Sequence, residues 1–128
     1  MLSEEVRMSP NQGGWSKKEI IGHLIDSATN NHHRIVRGVQ NLALAFPPYD
    51  QNRWVEIQGY NEMPWTDLVE LFCQYNRHLC RVIDKIPRES LQNLCHIGKE
   101  EPISLEFVIE DYLRHLRHHL KDILDEQA

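Results

Sequence analysis

An all-α fold, an antiparallel up-down helical bundle built on three long helices, is what this sequence predicts. Three observations carry that prediction. Apolar residues recur at helical spacing over three stretches of roughly 20 residues each. Proline, glycine and capping residues stand where those stretches must begin and end. No segment alternates apolar and polar residues well enough to propose a sheet. A chain of 128 residues matches one ordinary domain, residues 1–128, without repeats, low-complexity tracts or an interdomain linker.

The first long helix opens at Trp15-Ser-Lys-Lys-Glu-Ile20, where Ser16 and Glu19 form a capping box and Trp15 and Ile20 a hydrophobic staple. Ile20, Ile21, Leu24, Ile25 and Ala28 then line one side. Pro47-Pro48 sets the limit of this helix, which is expected to fray near Gly38. The second begins around Pro64, carries Trp65, Leu68, Val69, Phe72, Leu79, Val82, Ile83 and Ile86, and is ended by Pro87. The third follows Ser104, a candidate N-cap, and carries Leu105, Val108, Ile109, Tyr112, Leu113, Leu116, Leu120, Ile123 and Leu124. A short helix is expected near Trp54 to Tyr60. The first fourteen residues contain Pro10, Asn11, Gly13 and Gly14, enough for a short turn only, so the N-terminal helix is read as truncated.

Bundles usually close with four helices, and an uncovered apolar groove along a helix of about 20 residues would be a sizeable patch. A second copy of the chain is the favoured cover, which predicts a homodimer. A self-sufficient three-helix core, or the middle segment folded over the gap, are the alternatives. The formal charge of −5 leaves no electrostatic footprint for nucleic acid. No apolar run reaches membrane-spanning length, and Met1-Leu-Ser-Glu-Glu-Val6 lacks signal-peptide character, so a cytoplasmic protein without membrane attachment is expected. Cys73, Cys80 and Cys95 form no CxxC and leave one over; they are read as small buried hydrophobes in a reducing compartment.

The most specific chemistry lies in Asp111-Tyr-Leu-Arg-His-Leu-Arg-His-His-Leu120. His115 and His119, at i and i+4, share one helical face and can reach one metal ion. Such a pair is more often a solvated feature than a site, and Leu116 stands where a metalloprotease H-E-x-x-H motif needs its glutamate. A third ligand is therefore required. On the first helix, His23, Asp26, Ser27, Asn30 and Arg34 form a polar stripe beside the apolar face. His23 with His115 and His119 is the most economical triad, suited to zinc, nickel or iron(II) with room left for water or substrate. His118 is a rival ligand but falls with Arg114, Arg117 and Lys121 on the solvent face. His32 and His33 either cover the rim of the site or are solvated; His78 and His96 have no identifiable partner.

The same residues carry a resemblance. The run Gly14-Trp-Ser-Lys-Lys-Glu-Ile-Ile-Gly-His-Leu-Ile-Asp-Ser-Ala28 resembles the first signature of the DinB-like superfamily, W-S-x-x-E-x-x-x-H-L. Asp111-Tyr-Leu-Arg-His-x-x-x-His-Leu120 resembles its second. Tyr49-Asp-Gln-Asn-Arg-Trp-Val55 and Tyr60-x-x-x-x-Trp65 match one branch of that family. The resemblance implies an antiparallel bundle, commonly dimeric, holding a divalent metal (zinc, nickel, iron or manganese) on the positions of His23, His115 and His119. It also implies hydrolase-like chemistry, or transferase and isomerase chemistry that uses a low-molecular-weight thiol such as bacillithiol or mycothiol. The family normally has a long helix before the W-S motif, of which this chain keeps the tail, Leu2 to Pro10.

As an enzyme, the chain would use the metal to lower the pKa of bound water or thiol acting on a small-molecule substrate. Asp26 would accept a proton or orient a ligand, and Asn30 and Arg34 would bind an anionic substrate. Asp111 is read as an outer partner of His115, a cap, or half of a salt bridge. Trp54 and Tyr60 either fill the core or line the mouth. The competing reading is a non-catalytic, degenerate module whose histidines bind metal for stability or not at all, favoured by the shortened N-terminus.

Overall fold

Ser16 starts the first helix as its neighbours dictate. Its hydroxyl accepts from the Glu19 amide at 3.1 Å while the Glu19 carboxylate accepts from the Ser16 amide at 2.9 Å, closing the capping box. The computed structural model describes residues 14–41, 45–98 and 100–124. Among them run helices α1 (Lys17–Gln40), α2 (Gln51–Gln58), α3 (Trp65–Asp84) and α4 (Leu105–Leu124). Short 3-10 turns cover Tyr60–Glu62 and Arg88–Gln92. The expected truncation of an N-terminal helix falls on residues outside this description.

Helix α1 is the axis of the fold. Helices α3 and α4 pack along it, and α2 with the Tyr60 turn covers its N-terminal half. Residues 20–28 are buried without interruption, so this half of α1 has no solvent face. Around it one core cluster gathers Ile21, Ile25, Val55, Tyr60 and Leu68, and another gathers Ala28, Ile35, Leu79, Cys95, Leu105, Val108, Ile109 and Tyr112. Each fully buried leucine or isoleucine contributes about 1.5–3 kcal/mol of transfer free energy, and Leu24, Ile35, Leu68, Leu79 and Leu105 are all in that class. The Ser104 hydroxyl caps α4 by accepting from the Phe107 amide at 3.1 Å, as the sequence predicts.

Three expectations need correction. A small sheet is present: β1 (Ala45–Phe46), β2 (Leu94–Ile97) and β3 (Ile103–Ser104). Strand β1 runs parallel to β2, pairing Ala45 with His96 and Phe46 with Ile97; β3 is antiparallel to β2, pairing Cys95 with Ile103. Strands of two and four residues are too short for a period-2 pattern to register. Helix α1 also stops at Gln40, close to the fraying expected at Gly38 and short of the prolines, because Asn41 turns left-handed (φ 56°) and its amide donates back to Gly38 O. Finally, Cys73 and Cys80 are exposed on α3 and only Cys95 is buried. No helix among the described residues is long and apolar enough to cross a membrane.

Candidate metal centre

Helix α1 brings His23 into the interior and α4 brings the other two histidines against it. The capping box fixes where α1 starts, so the inward face at His23 follows from Ser16. On α4, Val108, Ile109 and Tyr112 anchor the buried face, which carries His115 and His119 round towards α1 in the following two turns. The result is one ring nitrogen from each of His23, His115 and His119 within 4.8 Å of the others. His23 Nε2 and His115 Nε2 face each other at 3.3 Å, and the ring centroids lie 4.5–5.0 Å apart. Trp15, just outside the cap, lays its indole 4.6 Å from the His23 ring and screens it from solvent.

These residues fit a divalent ion. Tetrahedral ligands with metal–nitrogen bonds of about 2.0–2.1 Å stand about 3.3 Å apart, which is the His23–His115 separation, and the His119 nitrogen lies within 4.8 Å of both. The donors are also in the right protonation state. Burial, then the neighbouring His119 and His115, hold His23 down at about pKa 3; burial likewise lowers His115 and His119. All three are therefore neutral imidazoles near pH 7. His23 Nδ1 and His119 Nδ1 are buried without a hydrogen-bond partner, groups that an ordinary core would pair and that a bound ion can satisfy.

The protonation states give a pH prediction for the metal-free chain. The folded pKa of His23 lies below its unfolded value of 6.5, so the unfolded chain binds more protons through the interval between them. Stability is then complete above pH 6.5 and falls as the pH drops towards about 3. Thermal midpoints measured in chelator over that range should fall continuously, and less steeply in His23→Leu. A wild-type midpoint that is flat from pH 7 to pH 4 would contradict the buried neutral cluster.

The other sequence-predicted residues divide. Asp26 is buried: its Oδ1 accepts from the Tyr60 hydroxyl at 2.6 Å and from the Gln58 amide at 2.9 Å. Its Oδ2 is buried with no partner, and burial raises its pKa against the opposing hydrogen bonds from Tyr60 and Gln58. Tyr60 is thus core, whereas Trp54 is exposed. Asn30 and Arg34 lie further along α1, half-buried, where they line a cavity distinct from the triad. His118 is exposed beside His119, so the rival ligand stands outside the cluster. Asp111 pairs with Arg114 and acts as half of a surface ion pair. His32 accepts or donates at Tyr75 Oη at 2.7 Å with the His78 ring 5.3 Å away, a partnership the sequence did not disclose for His78. Asp122, with Oδ2 3.7 Å from His119 Nδ1, and Trp15 were also missed as neighbours of the site. The i,i+3 spacing from His119 is the signal that could have found Asp122.

The fold and this cluster together define a histidine-lined helical bundle, and the comparison with known families agrees. The family model of the DinB superfamily matches residues 2–123, and the chain belongs to that superfamily. A protein of Oceanobacillus iheyensis named "Putative metal-dependent hydrolase" is 26% identical over 121 residues, which cover 94% of this chain and 70% of that protein. YfiT of Bacillus subtilis, named in the same way, is 25% identical over 114 residues, covering 88% of this chain and 64% of its own length. The solved structure of YfiT, described as a probable metal-dependent hydrolase with an unusual four-helix bundle topology, superposes with a TM-score of 0.88 at 21% identity. That match covers 98% of this chain and 73% of YfiT, and it shows the shared fold.

Proposed function

We propose that this chain is a divalent-metal-dependent enzyme, a hydrolase or a thiol-dependent transferase, with His23, His115 and His119 as the metal ligands. The observation that carries the reading is the convergence of three neutral imidazoles from two helices, His23 buried and His115 and His119 half-buried, with their nitrogens within 4.8 Å. The metal-dependent naming of the relatives supports it. A divalent ion held there supplies a Lewis acid that makes a water or thiol acidic near neutral pH.

The chain's own groups supply the rest. Trp15 and the burial of His23 keep bulk water from one side of the cluster. Asp26, one helical turn from His23, keeps Oδ1 occupied by Tyr60 and Gln58 and leaves Oδ2 free to take a proton. With its pKa raised by burial, it is the general base of this reading. Asp26→Asn should preserve metal stoichiometry and lower turnover by about 10²–10⁴-fold. The test is a screen of esters and amides, and of electrophiles offered with a small thiol, using zinc-, nickel-, iron- and manganese-loaded protein. Turnover that persists unchanged in His23→Ala would overturn the enzyme reading and leave a metal-binding module. Self-association belongs to the same reading: Val36, Leu71, Leu94 and Phe107 are large apolar side chains at 42–54% exposure that a second copy would bury. Sedimentation should find a dimer; a clean monomer at micromolar concentration would contradict it.

A further inference from the structure

A cavity of about 390 Å³ opens on α1 beyond the histidine cluster. Its polar wall is Asn30, His33, Arg34 and Arg37; Phe46 and Trp54 stand among its apolar lining. Among the described residues no aspartate or glutamate lines it, in a chain whose formal charge is −5. Two exposed arginines of the structure do meet acids, Arg53 pairing with Glu56 and Arg114 with Asp111. Arg34 is half-buried yet has no acidic partner among the described residues. Burial lowers its pKa, but a guanidinium remains charged throughout the physiological range. A half-desolvated, unpaired arginine beside an exposed second one leaves a fork of donors unused, which is the arrangement that recognises a carboxylate or phosphate bidentately. The volume suits a small organic ligand.

The position of the cavity relative to the triad is set by the helix. At 100° per residue, Asn30 and Arg34 lie within about 20° of the line through His23, and about 10 Å and about 16 Å further along the axis. Cavity and histidine cluster therefore share one stripe of α1. We propose that this cavity binds the anionic end of an elongated small-molecule substrate, holding a carboxylate or phosphate on Arg34 and Arg37 against the rings of Phe46 and Trp54. Arg34 and Arg37 stand about 16 Å and about 21 Å along the helix axis from His23, which sets the span between the anion and the reactive bond. The word substrate rests on the metal-enzyme reading; binding of the anion does not.

Calorimetric titration of the full chain with phenylphosphonate and with phenylacetate tests this, with 2-phenylethanol as the neutral isostere. At least one anion should bind with a Kd of about 1 mM or tighter, and 2-phenylethanol at least about tenfold more weakly. A preference for phenylphosphonate identifies the natural group as a phosphate, and a preference for phenylacetate as a carboxylate. Arg34→Gln should weaken the bound anion by at least about tenfold, the loss of one charge-assisted contact. Arg37→Gln, a change on an exposed side chain that leaves the core untouched, should weaken it as well. Absence of binding by both anions at about 10 mM, or binding unaffected by both substitutions, would overturn the proposal. His119→Ala separates it from the metal reading, because that variant should lose the ion and keep the anion. Metal binding without anion binding defeats the cavity alone; anion binding in a wild type that takes up no metal defeats the metal centre alone.

Discussion

Replacing His115 with alanine is expected to strip the divalent ion from the chain, with a loss of affinity well beyond the roughly 10–100-fold that follows removal of a group hydrogen-bonded to a ligand. The reason is the site's small size. Among the described residues three imidazoles make up the donor set within 4.8 Å, and His115 Nε2 is the nitrogen that faces His23 at 3.3 Å. No other histidine can substitute without moving a helix: His118, the adjacent candidate on α4, is exposed and belongs to a different face. His118→Ala is accordingly the control, and should leave affinity unchanged. Zinc competition against a chromophoric chelator reads both variants. Equal losses in His115→Ala and His118→Ala would mean that the ion sits on the outer face of α4, and the site described above would be wrong.

The largest structural effect is expected at Gly22. Replacing glycine by alanine inside a helix ordinarily gains about 1 kcal/mol. Here a Cβ would be driven into the ring of Tyr60, at its Cγ, Cδ2 and Cε2 atoms, far inside contact distance. The ring has nowhere to go: Tyr60 is 3% exposed, and its hydroxyl is tied to Asp26 Oδ1 at 2.6 Å and to Gln58 Oε1 at 2.9 Å. Overpacking of this kind costs about 1–3 kcal/mol or more, so the clash outweighs the helix propensity. Gly22→Ala should lose about 1–2 kcal/mol net and lower Tm by about 4–8 °C. It should also release Asp26 from its hydrogen bonds. Because the penalty is a shared contact, adding Tyr60→Ala should cost much less in the Gly22→Ala background than in wild type. Strict additivity, or a stabilised Gly22→Ala, would show that Tyr60 does not pack where it is described.

What could be read from the sequence was governed by helical geometry. The capping box at Ser16 and Glu19 fixes the phase of α1, and spacing alone then places His23, Asp26 and Arg34 along its face. The i,i+4 spacing does the same for His115 and His119, which is why the triad was accessible before any coordinates. The remainder depended on contacts between distant segments. Strand β1 meets β2 across roughly 50 residues of sequence, and two-residue strands carry no periodic signal. The Tyr60–Gln58 clamp on Asp26 needs the close approach of a 3-10 turn to Gly22, and the sequence shows only that Gly22 is small. The cationic cavity draws Phe46 and Trp54 from separate segments, so Arg34 could be named while its surroundings could not. Cys73 and Cys80 failed the burial expectation because residue-type preference says nothing about which face of α3 a side chain occupies.

The central claim is that His23, His115 and His119 hold one ion, and metal analysis of tag-free protein tests it most directly. Purified chain, incubated in turn with zinc, nickel, iron(II) and manganese(II) and then freed of loose metal, should retain about one divalent ion per chain, carried on imidazole nitrogen in its X-ray absorption spectrum. A chain that retains none of the four, or one whose absorption edge shows sulfur ligation, would contradict the three-histidine centre.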